Sequence, residues 1–198
     1  LGEKVIYDPY IVIGTGRSGS STVAGILHNK MEIFMGHEFR KPDEKNSSGY
    51  WEDIEFASPN WRFLKGKIAY PEWIEEIFAV IAERKNRGIP WGFKDPDATH
   101  FLGLYLSFFK EPKIIRCRRK KELVIASLIK SFGWTQKYAE NLWNMKEMIL
   151  DNVLSGRDYL EIYFDEKRIP DIEIIKLIEE KWNGRNNNRM ETQTRQVS

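Results

Sequence analysis

Short β-branched runs alternate along the chain with longer stretches whose apolar residues recur every three or four positions, a pattern that predicts a parallel sheet wrapped by helices. Residues 10–14 form the first run and end on glycine, after which Val23, Ile26 and Leu27 set the apolar stripe of a helix over 22–31. Residues 33–35 are a second short apolar piece. Helical spacing returns at 56–64 and again at 71–87, where Pro71 suits a first turn and Gly88 a stop. Residues 91–94 read as a strand, 100–109 as a buried helix, 112–117 as a strand and 122–132 as the helix it feeds. An amphipathic helix over 135–154 carries Tyr138, Leu142, Met145, Ile149 and Val153 along one side. A last strand over 159–163 and a last helix over 171–182 complete the order.

Between these elements, residues 37–50 hold Pro42, Asn46, Ser47, Ser48 and Gly49, too many turn formers for a regular element. They predict a mobile loop over the site. In a parallel sheet of this kind, ligands bind at the carboxyl ends of the strands. The chain is 198 residues long and 41% hydrophobic, enough for one core, so residues 1–182 are expected to form a single domain and the polar residues 183–198 a flexible tail.

Thirty-one basic against 29 acidic residues leave a charge of +2, which gives no global electrostatic case for nucleic acid or an acidic membrane surface as partner. Any anion site is therefore local. No apolar run approaches the ~18 residues of a membrane span, and the single cysteine, Cys117, sits in an apolar run as a buried thiol. A reducing, cytoplasmic location is the expectation. His28 and His100 have no partner pattern that suggests a metal site.

The first local anion site is Gly14 to Ser21 (GTGRSGSS), between a strand and a helix. Glycines let the backbone aim successive N–H groups at an anion, and the helix amino end adds its dipole. Ser18, Ser20, Ser21 and Thr22 add hydroxyl donors. Gly14 and Gly19 have the Walker A separation, but Ser20 stands where that pattern requires lysine. Arg17 supplies the cation instead, in a planar fork suited to phosphate or sulfate oxygens. That exchange points away from a P-loop kinase.

The second site is a basic run, Arg116, Arg118, Arg119, Lys120 and Lys121, where a strand ends and a helix starts. Cations at a helix amino end are disfavoured by up to roughly 1 kcal/mol, so the cluster calls for an anion or for solvation. Solvation suits Lys120 and Lys121. Arg119 and Ser127, eight residues apart, are placed to pinch one phosphate between strand end and helix flank. A nucleic-acid binder would use the same cations, yet isoleucine and cysteine interrupt them at strand spacing, which does not make an exposed basic stripe.

With these two segments the chain resembles the sulfotransferases that use 3'-phosphoadenosine 5'-phosphosulfate. Gly16 to Ser21 (GRSGSS) resembles their 5'-phosphosulfate loop, and residues 113–119 with Ser127 resemble their 3'-phosphate segment. Gly36 to Arg40 (GHEFR) and Phe93 to Pro96 (FKDP) are similar to segments of the tyrosylprotein branch. Two departures stand out: Cys117 to Lys121 lacks the usual Asn-Pro, and there is no late Arg-Lys-Gly.

The resemblance implies a three-layer α/β/α fold with a central parallel sheet, of the P-loop nucleoside triphosphate hydrolase-like class. It implies 3'-phosphoadenosine 5'-phosphosulfate as co-substrate, adenosine 3',5'-bisphosphate as product, no metal, and a small-molecule, carbohydrate or protein acceptor. Gly16, Arg17, Ser18, Gly19, Ser20, Ser21 and Thr22 would hold the 5'-phosphosulfate, and Arg119 and Ser127 the 3'-phosphate. Sulfuryl transfer needs a cation near the bridging oxygen and a base for the acceptor proton. Arg17, Arg40 and Lys94 are the candidate cations. Three bases stay open: Glu38 on the tyrosylprotein pattern, His37 with the pKa suited to neutral pH, and Glu52, which follows the loop.

Overall fold

The structure, a computed structural model, describes residues 5–44, 46, 49–165 and 169–182. The tail at 183–198, Ser47 and Ser48 lie outside the described residues. Two compact units are distinguished, Leu1–Asp165 and Glu166–Ser198.

The first unit is built on four parallel strands, β1 (Tyr10–Ile13), β2 (Gly92–Lys94), β3 (Lys113–Arg119) and β4 (Leu160–Phe164), in the order β2-β1-β3-β4. This is the predicted α/β class with an all-parallel sheet. Register sets the two faces: Ile11 lies beside Phe93 and Ile114, while Val12 lies beside Lys94 and Ile115. Because side chains alternate along a strand, the first set joins one core and Lys94 is carried on the other face.

That core takes Ile11, Ile13, Phe93 and Ile114 together with Phe56, Trp73, Ile77, Trp91, Tyr105 and Leu150. Its helical members come from α2 (Ile54–Leu64), α3 (Tyr70–Asn86), α4 (Leu102–Ser107) and α6 (Gln136–Leu154). On β1 and β2 packs α1 (Ser20–Lys30). A smaller cluster joins Val124, Ile125 and Leu128 of α5 (Lys121–Phe132) to Ala139 of α6. In the second unit, α7 (Asp171–Trp182) buries Ile174 and Ile178 one turn apart and carries Asp171 and Glu173 at its amino end, where the dipole favours them.

Two departures from the sequence reading have physical causes. The single helix expected over 100–109 is a 3-10 turn, Pro96–Phe101, followed by the short α4, because the Asp95 side chain caps the Asp97 N–H at 2.9 Å and Pro96 starts the turn. The strand expected to end at Cys117 runs on to Arg119, since β4 pairs with it through Phe164. On α6, Ala139, Lys146, Glu147, Leu150 and Leu154 are buried, and Tyr138 and Met145 are exposed.

Candidate functional site

The chain leaves β1 toward β2 on one side and later enters β3 on the other, so the loops after β1 and β3 diverge and open a crevice at the strand ends. Backbone geometry lets them approach. A Cβ on Gly14 would lie 2.4 Å from the Cys117 carbonyl oxygen, so only glycine allows this close crossing. At Gly19, φ is +94° and a Cβ would meet the Phe164 ring at 2.5 Å. Arg17 itself is held at φ 73°, a left-handed conformation that costs a non-glycine residue on the order of 1 kcal/mol and recurs at functional sites. From Gly19, α1 starts with no side-chain cap and no acidic residue in its first turn, an amino end open to an anion.

The two segments meet. Arg17 donates from Nε to the Ser127 hydroxyl at 2.9 Å across 110 positions of sequence. One cleft of about 670 Å³ is lined by Gly16, Arg17, Gly19, Ser20, Ser21 and Thr22 from the first segment and by Arg119 from the second. Ser18 is buried beneath the loop, its hydroxyl without a hydrogen-bond partner, and Ser127 reaches the site through Arg17.

Arg119 differs from its basic neighbours. Arg116 is 2% exposed and pairs with Glu147 at 2.8 Å and Asp151 at 2.7 Å. Arg118 pairs with Glu147 and Glu161 at 3.5 Å each, and Lys120 with Asp165 at 2.9 Å. Lys121 bonds Asn144 at 3.0 Å and lies over the Trp143 ring. The Arg119 Nε is buried without a hydrogen-bond partner, and Arg119 makes no ion pair among the described residues. Arg119 also lines the cleft, so its charge is available there to an anion.

Lys94 reaches the cleft from the end of β2. Its Nζ donates to the Tyr50 carbonyl at 3.0 Å, to Glu52 Oε1 at 3.2 Å and to the Ser21 hydroxyl at 3.4 Å. Burial pushes this ammonium below its ordinary pKa, with the Glu52 carboxylate pulling the other way. Glu52 lines the cleft, its second oxygen 3.4 Å from Arg40. Arg40 also lines it and lies over the Tyr50 ring at 4.1 Å. Burial and the hydrogen bond to Asp43, 2.6 Å, push the Tyr50 hydroxyl up to about 12.

Glu52 stands where it does because its neighbours are pinned. Trp51 adopts φ 52°, Asp53 caps α2 through the Glu55 N–H at 3.1 Å, and the buried Arg84 of α3 holds Asp53 at 3.2 Å and also contacts Glu55. Phe39 and Asp53 form an antiparallel bridge, and the Arg40 N–H bonds the Glu52 carbonyl at 3.0 Å. The segment read as a loop is thus tied by main-chain bonds at both ends of its described part.

The other two candidate bases lie elsewhere. His37 contacts Arg87, stands 3.6 Å from Glu83 and packs edge-on to Phe34, a surface cluster outside the cleft lining. Glu38 is exposed, and its carbonyl accepts from the Ile54 N–H at 3.1 Å. Of the three, Glu52 alone lines the cleft.

Several site residues were not singled out from sequence. Glu147 accepts the Thr15 hydroxyl at 2.7 Å on one oxygen and Arg116 on the other, tying the loop after β1 to β3 and α6. Lys146 donates to the Pro96 carbonyl at 2.8 Å and pairs with Asp97 at 3.2 Å. Asp95, Asp97 and His100 line the cleft below. Burial, with the Asp97 charge adding, pushes the Asp95 carboxyl up to about 6, against a 2.7 Å bond from Asn60. The available signal was two adjacent charges, Lys146 and Glu147, beside the apolar stripe of a long helix. Among the described residues no group of three His, Cys, Asp or Glu side chains is arranged to hold a metal, and no helix is long and apolar enough to cross a membrane.

Neither a protein-family model nor a curated protein matches the chain.

Proposed function

We propose that the protein is a sulfotransferase of P-loop-like, three-layer architecture that moves a sulfuryl group from 3'-phosphoadenosine 5'-phosphosulfate to an acceptor hydroxyl or amine. One observation carries the reading: the two anion segments, remote in sequence, line a single cleft and are joined by the Arg17 to Ser127 hydrogen bond. Two such pockets suit a ligand charged at both ends. The main-chain donors at the start of α1, with Arg17, serve the 5' end, and the Arg119 guanidinium on the cleft wall, with Ser127, serves the 3'-phosphate.

In the transfer the acceptor oxygen or nitrogen forms a bond to sulfur, and the bond from sulfur to the bridging oxygen of the 5'-phosphate breaks with its electron pair left on that oxygen. The acceptor proton goes to the Glu52 carboxylate, and Lys94, beside Ser21, supplies positive charge where the leaving phosphate becomes more anionic. The products are the sulfated acceptor and adenosine 3',5'-bisphosphate.

Calorimetry with adenosine 3',5'-bisphosphate in the absence of Mg²⁺, set against ATP with Mg²⁺, tests the reading. Binding of the bisphosphate alone supports it. Preference for ATP with Mg²⁺ makes the chain a small-molecule kinase instead.

A further inference from the structure

We infer that the half of the cleft lined by the end of α2, by α6 and by Phe132 and Trp134 receives an uncharged, largely apolar alcohol as the acceptor, a reading that takes its chemistry from the function proposed above and its geometry from α6. An amphipathic helix ordinarily turns its apolar stripe inward. Here part of the stripe faces the cleft instead. Tyr138, Leu142 and Met145 line the cleft, with Tyr138 54% and Met145 37% exposed, while Lys146 and Glu147 are buried at 4% and 6% exposure. Burying two charges is costly unless both are paired, and the fold pairs both, with Asp97 and with Arg116. The outcome is an apolar surface kept open on a cleft wall, the signature of a ligand site more than of a folding core.

The same half supplies ring faces and little free charge. Trp134 stacks on Phe132 with centroids 4.8 Å apart, and Tyr138 meets Trp134 edge-on at 5.0 Å, forming a preformed aromatic shelf. Trp61 and Leu64, both exposed, also line the cleft. Lys146 is neutralised by Asp97, which leaves Lys65 as the unpaired cation of this half among the described residues. A polyanionic sugar needs several cations along its path, and an apolar alcohol needs none. The alcohol oxygen is then the atom that becomes the ester oxygen of the sulfated product.

The test titrates 2-naphthol against the wild type, Leu142→Asp and Met145→Glu by tryptophan fluorescence and calorimetry, with and without adenosine 3',5'-bisphosphate. Saturable binding, weakened roughly ten-fold or more by either variant at unchanged bisphosphate affinity, supports the apolar subsite. Should one variant fail to fold, the other decides. Naphthol binding that is absent, or that both variants leave intact, overturns it. Faster sulfate transfer to a desulfated heparan oligosaccharide or a tyrosine-containing peptide than to 2-naphthol overturns it too. If naphthol binds and the variants abolish that binding while the bisphosphate does not bind, the sulfotransferase reading falls and the apolar subsite stands.

Discussion

Arg17 and Ser127 are 110 positions apart, yet the Arg17 Nε donates to the Ser127 hydroxyl at 2.9 Å, so one contact joins the loop after β1 to the helix after β3. Ser127 therefore orients Arg17, and on the proposed function it also serves the 3'-phosphate. Ser127→Ala is expected to weaken adenosine 3',5'-bisphosphate binding by about 1.5 kcal/mol, the size of a hydrogen bond to a charged group. Arg119→Ala removes a charged hydrogen-bonding group from the cleft wall, at about 2 kcal/mol or more. Unchanged affinities in calorimetry would place both residues outside the nucleotide site.

Glu52 and Lys94 sit 3.2 Å apart in the cleft, whereas His37 and Glu38 lie outside its lining. Glu52→Gln is expected to lower kcat by about 100-fold or more, the usual scale for a lost general base. Its effect on bisphosphate affinity should be small. His37→Asn and Glu38→Gln should leave turnover near wild type, and steady-state kinetics on the four proteins separates the roles. A Glu38→Gln enzyme as impaired as Glu52→Gln would reassign the proton acceptor.

The strand, glycine cluster and helix around Gly14 to Ser21 were legible in sequence because the turn chemistry is local: glycines, hydroxyls and an apolar stripe all fall within one short window. Of the pair Arg119 and Ser127, the first lines the cleft and the second bonds Arg17, a contact that no spacing between the two residues could have announced. The contacts that decide the rest are not local. Glu147 is 132 positions from Thr15 and 31 from Arg116, so nothing near α6 in sequence says that two charges turn inward while Tyr138 and Met145 stay exposed. In the same way, Glu52 is selected over Glu38 by the Phe39 to Asp53 bridge and by Arg84 on a distant helix. Periodicity finds an amphipathic helix, but only its partners say which face is inside.

Glu147 holds Thr15 and the buried Arg116 at once, at 2.7 and 2.8 Å. Removing one partner of a buried ion pair typically costs about 3–5 kcal/mol, and Asp151, which also contacts Arg116, retains part of that compensation. Glu147→Leu should thus lose about 2 kcal/mol or more in urea denaturation. Thr15→Val, which deletes only the hydroxyl, should cost about 1 kcal/mol, and the double variant should fall short of the sum because the two share one contact. Strict additivity would show that Glu147 serves Arg116 alone.

Asp95 makes stability depend on pH in a direction opposite to that of an exposed, salt-bridged carboxylate. Its carboxyl is pushed up to about 6 in the folded protein, chiefly by burial, against 3.8 as the reference value for the unfolded chain. The folded state therefore holds this proton more tightly, and the resulting contribution is complete below about pH 4 and lost as pH rises through about 6. A shift of this size corresponds to at most roughly 3 kcal/mol. Asp95→Asn cannot titrate. It carries a constant penalty instead, because its amide would face the Asn60 amide, whose oxygen is already engaged by Trp73 at 2.9 Å and Tyr105 at 2.8 Å. The stability of wild type relative to Asp95→Asn should accordingly fall between pH 4 and pH 7, whatever their offset, when both are unfolded in urea across that range. A difference that stays flat or rises would mean that Asp95 is ionised in the folded cleft as readily as in water.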